Sequence, residues 1–410
     1  MSAAIAITGG RVVCPATGHD GIATILLKDR KIAGIGQAEP PSDAQIIDAT
    51  GLVVAPGLID AGVFRADTAA ANAGGITRMI LMPDQSPPLD DPALVAFAQG
   101  SGKPDVWVHP LAAATRGLEG RELAELALMQ DAGAKAVATG RRWIADSGVM
   151  LRLLQYAAML GMVVVTHAED SGLTGDAAAT AGEIATRLGL PAAPAEAEAL
   201  AIARDIALAE LAGARLHIRQ VTTARGFDLV REAKARGLAV TCGITPAHFL
   251  LSDLATADFR TFTRLSPPLR AEADRQAALV AIADGTVDVI ASGHDPRGPE
   301  DKRLPFADAA SGMAGAETLL AMVLGLVRDD VIDTPRAFEL TARNPARLLG
   351  VPAGELAAGL EADFALIDAD APWIIDRRKM EATADNTPFD RQGTQGRVLG
   401  LWKGGARLVG

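Results

Sequence analysis

Cysteine is nearly absent from this 410-residue chain: Cys14 and Cys242 are the only two. They stand far apart and in no metal-like spacing, which excludes a disulfide framework and a cysteine-ligated cluster. Two reduced thiols in a cytoplasmic protein are expected instead. Long basic runs are absent as well. The 39 Lys and Arg are outnumbered by 50 Asp and Glu, for a net charge of −11, so neither nucleic acid nor an anionic membrane is the expected partner. No apolar run reaches the roughly 20 residues of a membrane span, and Met1 to Gly10 carries no basic leader. What is abundant is apolar side chain, 49% of the total. That supports a large core, and the length suits one barrel with an appendage.

Short apolar runs alternate with amphipathic stretches from about residue 52 to 350. The expected strands are 52–59, 78–82, 105–109, 134–138, 162–167, 214–221, 238–242 and 287–291, most of them rich in Val and Ile as doubly covered parallel strands should be. The clearest helix is 195–211, with Leu200, Ala203, Ile206, Ala207 and Leu211 at helical spacing and Gly213 beyond its end. Eight strands alternating with helices predict an α/β fold, a (β/α)8 TIM-like barrel whose reactive groups sit at the C-terminal strand ends. The termini differ. Short strands within 5–50, with turns expected at Gly9-Gly10 and Asp29-Arg30, and within 363–409, with a hairpin at Gly404-Gly405, predict one small β-domain built from both ends. The expected division is 1–52 with 353–410 as that domain, and 53–352 as the barrel.

Several motifs fall in order along the chain. They are Pro56-Gly57-Leu58-Ile59-Asp60 followed by Arg65; Gly74-Gly75-Ile76-Thr77 with Met82-Pro83-Asp84; and His167-Ala168-Glu169-Asp170. They continue with His217-Ile218-Arg219-Gln220-Val221, Thr245-Pro246-Ala247-His248, Ser266-Pro267-Pro268-Leu269-Arg270 and Ser292-Gly293-His294-Asp295-Pro296-Arg297. Asn344-Pro345-Ala346 and Asn386-Thr387-Pro388-Phe389 complete the set. Together these resemble the dihydroorotase family of the amidohydrolase superfamily. The resemblance implies a metal-dependent barrel that reversibly cyclises carbamoyl-aspartate to dihydroorotate, with zinc polarising the amide and supplying hydroxide.

Residue by residue, the resemblance also marks departures. The family pattern PGLID-x-H-V-H-x-R places two metal-binding histidines where this chain has Gly62 and Phe64. The bridging ligand after strand 4 falls at Thr139 or Gly140, with Lys135 a distant substitute. The strand-6 ligand becomes Gln220, and the strand-8 aspartate, both ligand and proton shuttle, becomes Gly293. Only His167 remains of the ligand set, and one imidazole is far short of the three protein ligands a catalytic zinc normally has. His217, His248 and His294 lie off the ligand pattern and are expected to be hydrogen-bonded within the fold. Of the substrate contacts, Arg65 persists, Asn has become Asp84, the Asn of NPPLR has become Ser266, and the last His of DHAPH has become Arg297. Nine residues, 66–74, lie between Arg65 and Gly75, fewer than in active relatives of the family.

These departures lead to a specific expectation. The pocket of Arg65, Asp84, His167, Gln220, Ser266 and Arg297 is vestigial, no residue is catalytic, and no metal or other cofactor is bound. The chain would then be a degenerate dihydroorotase-like subunit partnering aspartate carbamoyltransferase in a mixed oligomer of pyrimidine biosynthesis. The alternative is an active dihydroorotase or related cyclic amidohydrolase with an atypical site, in which His167 serves as base oriented by Asp295 or Asp84.

Overall fold

The computed structural model describes residues 4–36 and 39–410; Met1 to Ala3, part of the expected leader-free segment, lie outside the described residues, as do Gln37 and Ala38. Eight parallel strands run Leu58–Val63, Ile76–Leu81, Trp107–Pro110 with Ala112–Ala113, Ala136–Ala138, Val163–Thr166, Arg215–Ile218, Val240–Ile244 and Val289–Ile290. Helices follow most of them, giving the (β/α)8 barrel. These strands are almost wholly buried, which is why they read as continuous apolar runs rather than alternating ones.

The first expected strand, 52–59, divides at Gly57. Val53–Pro56 pairs with Ile5–Cys14 and Phe364–Ile374 in the terminal sheet, and Leu58–Val63 begins the barrel. A Cβ at Gly57 would overlap the Thr77 side chain, so the chain can change sheets there only without one. The terminal sheet runs in the order Ala406–Val409, Gly393–Lys403, Phe364–Ile374, Val53–Pro56, Ile5–Cys14, His19–Lys28 and Lys31–Gly36, with Gln45–Asp48 also on Ile5–Cys14. Both ends of the chain thus share one β-domain. Its core stacks Phe364 on Trp402, centroids 4.6 Å apart, against Ile7, Val12 and Ile25. Gly9-Gly10 is no turn: Ile5–Cys14 is one strand with a bulge between Ile7 and Gly10, where the register shifts. Turns do occur at Asp29-Arg30 and Gly404-Gly405.

The helix expected at 195–211 spans Glu196–Ala212 and ends on Gly213 at φ 62°. It buries Glu198 and Asp205 completely. The β-domain is fastened to the barrel by the buried Arg78–Asp363 pair at 2.6 Å and by Lys403 Nζ, 3.6 Å from the centre of the Trp107 ring. Among the described residues no helix is long and apolar enough to cross a membrane.

Candidate active site

Barrel closure and the mouth share residues. Ser292, just beyond the eighth strand, donates its backbone N–H at 2.8 Å and its hydroxyl to the carboxylate of Asp60 on the first strand. Phe64 N then donates to His294 O at 2.9 Å. The C-terminal ends of these strands therefore converge, and Phe64, Gln220, Gly293 and Asp295 line one pit with Arg141, Arg219, Thr245 and His248. The pit is about 30 Å³, room for about one water. Outside it opens a cleft of about 1070 Å³, lined by His167, Glu169, Arg142, Arg264, Ser266 and the segment 307–311. Arg141, Leu265, Ser266 and Ser311 line both.

The ring of Phe64 meets two guanidinium groups: Arg141 Cζ is 3.6 Å and Arg219 Cζ 5.1 Å from its centroid, within cation–π range. Arg219 is 7% exposed, and its stem fills the space beside Gly62, where a Cβ would come within 3.3 Å of its Cδ. Burial, assisted by the charge of Arg141, lowers its pKa to about 10, against the opposing pull of Asp84, Asp295 and Glu169. It remains a cation at neutral pH.

His167 has both ring nitrogens engaged. Nδ1 lies 3.3 Å from Arg219 Nη2, which can only donate, so Nδ1 accepts and Nε2 carries the proton toward Glu169 Oε2, also at 3.3 Å. Behind it, Arg270 donates to Glu169 at 2.8 Å and to Glu198 at 3.3 Å, and Glu198 accepts the backbone N–H groups of Thr222 and Thr223, each at 2.9 Å. Burial works to raise the Glu169 carboxyl, but the His167 hydrogen bond and the Arg270 charge outweigh it and hold it down to about 2. This network runs from the helix Glu196–Ala212 to the mouth. The partner of His167 is Glu169, not the Asp295 or Asp84 expected from the sequence.

The remaining sequence candidates are dispersed. Ser266 lines both cavities, whereas Arg65 is exposed and lines neither. Its backbone leads into the short helix Thr68–Ala73. Asp84 accepts from Arg141 N at 2.9 Å and rests against Gly140, φ 77°, where a Cβ would come within 2.8 Å of its carboxylate. Thr139 Oγ1 accepts from His167 N at 3.1 Å. Lys135 is exposed. His217 is bonded to Thr241 at 2.9 Å, His248 sits between Gln220, Thr245 and Pro267 O, and His294 is buried 3.6 Å from Asp67. Arg297 donates to Asp295 at 3.1 Å. Arg141, Arg219 and the Glu198–Arg270 pair carry much of the mouth's polarity. Their only advance signal was position, beside Gly140, beside Gln220 and within the motif that ends at Arg270.

These residues do not fit a divalent ion. Gln220 Oε1, the neutral oxygen available, faces Arg219 Nη1 at 3.4 Å, and both His167 nitrogens are committed. Gly293 sits at φ 66° and Gly62 at φ 103°, and two cations flank the ring of Phe64. Among the described residues no three His, Cys, Asp or Glu side chains are grouped to hold one.

The whole-chain comparison decides the family. A protein named "Dihydroorotase" from Pelotomaculum thermopropionicum is 40% identical over 96% of this chain and 94% of its own length. The chain belongs to the dihydroorotase-like family. A profile described as "Dihydro-orotase-like" matches residues 53–225, and a "Dihydroorotase" from Anaeromyxobacter dehalogenans is 38% identical over 100% of this chain and 98% of its own. Among solved structures, "L-Hydantoinase (Dihydropyrimidinase) from Arthrobacter aurescens" superposes with a TM-score of 0.89 at 25% identity, covering 99% of this chain and 96% of that one. This dihydroorotase-like chain thus has the amidohydrolase barrel.

Two expectations are corrected by these findings. The degenerate, non-catalytic subunit is overturned, because relatives at 36–40% identity across nearly the full length are named dihydroorotases. The expectation of no cofactor falls with it, since it rested on degeneracy and the dihydroorotase resemblance implies zinc. Loss of the family's ligand residues is not by itself loss of the chemistry. It is instead a departure at one pit within a chain whose full length follows named enzymes.

Proposed function

We propose that this protein is a cyclic-amide hydrolase of the dihydroorotase type, interconverting carbamoyl-aspartate and dihydroorotate. The observation that carries this reading is the 40% identity to a named dihydroorotase across 96% of the chain. The mouth is chemically suited to it: Arg141, which borders the cleft, offers fixed positive charge for a developing oxyanion. His167, held by Glu169 and Arg219, lines the same cleft. No step is assigned to a metal, because the residues at the mouth do not fit one. The test is turnover of dihydroorotate on protein purified without chelator, with and without added zinc. Turnover in either condition supports the reading, and none in both overturns it.

The same reading includes association with aspartate carbamoyltransferase and a cytoplasmic location, in keeping with the free, buried Cys14 and Cys242. Co-purification of the two proteins from one lysate tests the association. A transferase that elutes free of this chain counts against it.

A further inference from the structure

Lys302 ends the short helix Pro299–Lys302 and is 5% exposed, yet no carboxylate among the described residues is paired with its ammonium. Nζ donates instead to three backbone carbonyls: Ala310 O at 2.7 Å, Thr261 O at 3.0 Å and Arg264 O at 3.3 Å. An ammonium has three protons, so each one is used. Thr261 Oγ1 donates back to Lys302 O at 2.6 Å, Ala310 N donates to Asp301 O at 3.1 Å, and Gly312 N donates to Arg264 O at 3.2 Å. Segments 261–264, 301–302 and 310–312 are therefore laced together at one buried amine. Burial pulls the Lys302 pKa down to about 7; Asp295 and Asp301 oppose that pull, and Arg264 and Arg297 add to it. A charge buried without a carboxylate partner is costly, and packing alone would be served by an apolar side chain. Lys302 lines neither the pit nor the cleft, but the segments it grips do. Arg264, Leu265 and Ser266 form one stretch of cleft wall, and residues 307–311 form another. Arg264 Nη2 carries the first stretch across to Ala177 O at 3.2 Å, which also lines the cleft.

We infer that Lys302 is a positioning residue for the cleft: its ammonium fixes segments 261–266 and 307–311 as one outer wall and so sets the space that a cyclic-amide ligand enters. This rests on reading the cleft as the substrate site. Lys302 lines neither space, so it acts only through the two segments. Arg141 and His167 follow the fourth and fifth strands and have partners of their own, Asp295 and Glu169, which do not involve Nζ. Without the ammonium, three inward-facing carbonyls lose their donor and are satisfied only where the segments part and admit water. A ligand must then order the wall as it binds, so affinity falls while the groups on the other side of the cleft stay in place.

Hydrogen–deuterium exchange at about pH 6, where Nζ is protonated, tests this on the full-length native protein and on Lys302→Met, whose side chain has similar length and no charge. Lys302→Met is expected to speed exchange in 261–266 and 307–311 about tenfold and to leave the helix Glu196–Ala212 unchanged. With L-dihydroorotate as substrate, the same variant is expected to raise KM about tenfold and keep kcat within about twofold, a split that a general loss of stability would not produce. Native exchange rates in both segments overturn the inference, as does faster exchange throughout the chain or a fall in kcat at unchanged KM. Should Lys302→Met not fold, Thr261→Val removes only the reciprocal bond to Lys302 O. It must loosen the same two segments, and native exchange in them overturns the inference equally. A native protein that does not turn over dihydroorotate refutes the catalytic reading alone, because exchange reports on the wall without it.

Discussion

Asp60 and Ser292, 232 positions apart, close the barrel: the carboxylate on the first strand accepts both the backbone N–H and the hydroxyl of the residue after the eighth. Asp60 is fully buried, and burial pushes its pKa up against the Ser292 hydrogen bonds. Asp60→Ala would strand two buried donors in a dry seam. A loss of about 2–3 kcal/mol is expected, read as a lower urea midpoint at unchanged m-value. A midpoint within error of the native one would show that the seam is closed by packing alone.

Reinstating family side chains at the pit should destabilise the fold. Gly62 at φ 103° and Gly293 at φ 66° occupy backbone regions that other residues enter at a cost of about 1–3 kcal/mol. A Cβ at 293 would also come within 3.0 Å of both Met313 and Thr245, and one at 62 would press on Arg219. Gly62→His and Gly293→Asp are each expected to lower the denaturation midpoint. Paired Gly62→His and Phe64→His changes are expected not to raise zinc content, because Gln220, Gly293 and the arginines remain. Stoichiometric zinc in that double variant, by elemental analysis, would refute this.

The buried Glu198–Arg270–Glu169 chain is expected to be among the most sensitive in the molecule. Glu198→Gln leaves Arg270 with one fewer anion and turns Oε2, which accepts from the Thr222 hydroxyl and from Arg270, into an N–H donor. Breaking one partner of a buried pair typically costs about 3–5 kcal/mol. The variant should unfold at markedly lower urea concentration. A shift comparable to that of a surface Glu→Gln control would contradict the assignment.

Acid should weaken one contact between the barrel and the C-terminal segment. Burial works to raise the Asp67 carboxyl, yet His294 and the Thr383 N–H, which donates at 2.7 Å, hold it down to about 2. A carboxyl depressed in the folded state contributes stability that is present above about pH 4 and lost as pH falls through about 2. Here the shift corresponds to about 2 kcal/mol. The difference in unfolding free energy between native protein and Asp67→Asn should therefore be near that value at pH 7 and shrink toward pH 2. A constant difference across that range would remove the linkage.

Strand and helix placement was legible because it depends on local pattern. The apolar runs around 78–82, 162–167 and 214–221 had to be doubly covered, and the helix ending at Gly213 carried its own stop signal. The division at Gly57 was not legible. It depends on Thr77 lying across the chain there, and adjacency of residues distant in sequence leaves no periodicity to read. The bulge at Gly9-Gly10 is illegible for a related reason, since a glycine pair permits both a turn and a bulge and only pairing with His19–Lys28 selects between them.

At the site, residue order alone specifies which side chains are present: no histidine at 62 or 64, no aspartate at 293, His167 alone of the family's ligand set, and an acidic residue at 295. It also determined the fold, because the order of strands, helices and motifs admits little besides this barrel. What those residues do to one another depends on the folded barrel. Arg141 and Arg219 come from loops 78 positions apart, and Asp295 from a third. Their meeting around Phe64 is an electrostatic arrangement created when eight strand ends are drawn into one ring. Charge acts through distance in space, and the linear chain does not encode that distance until the barrel closes.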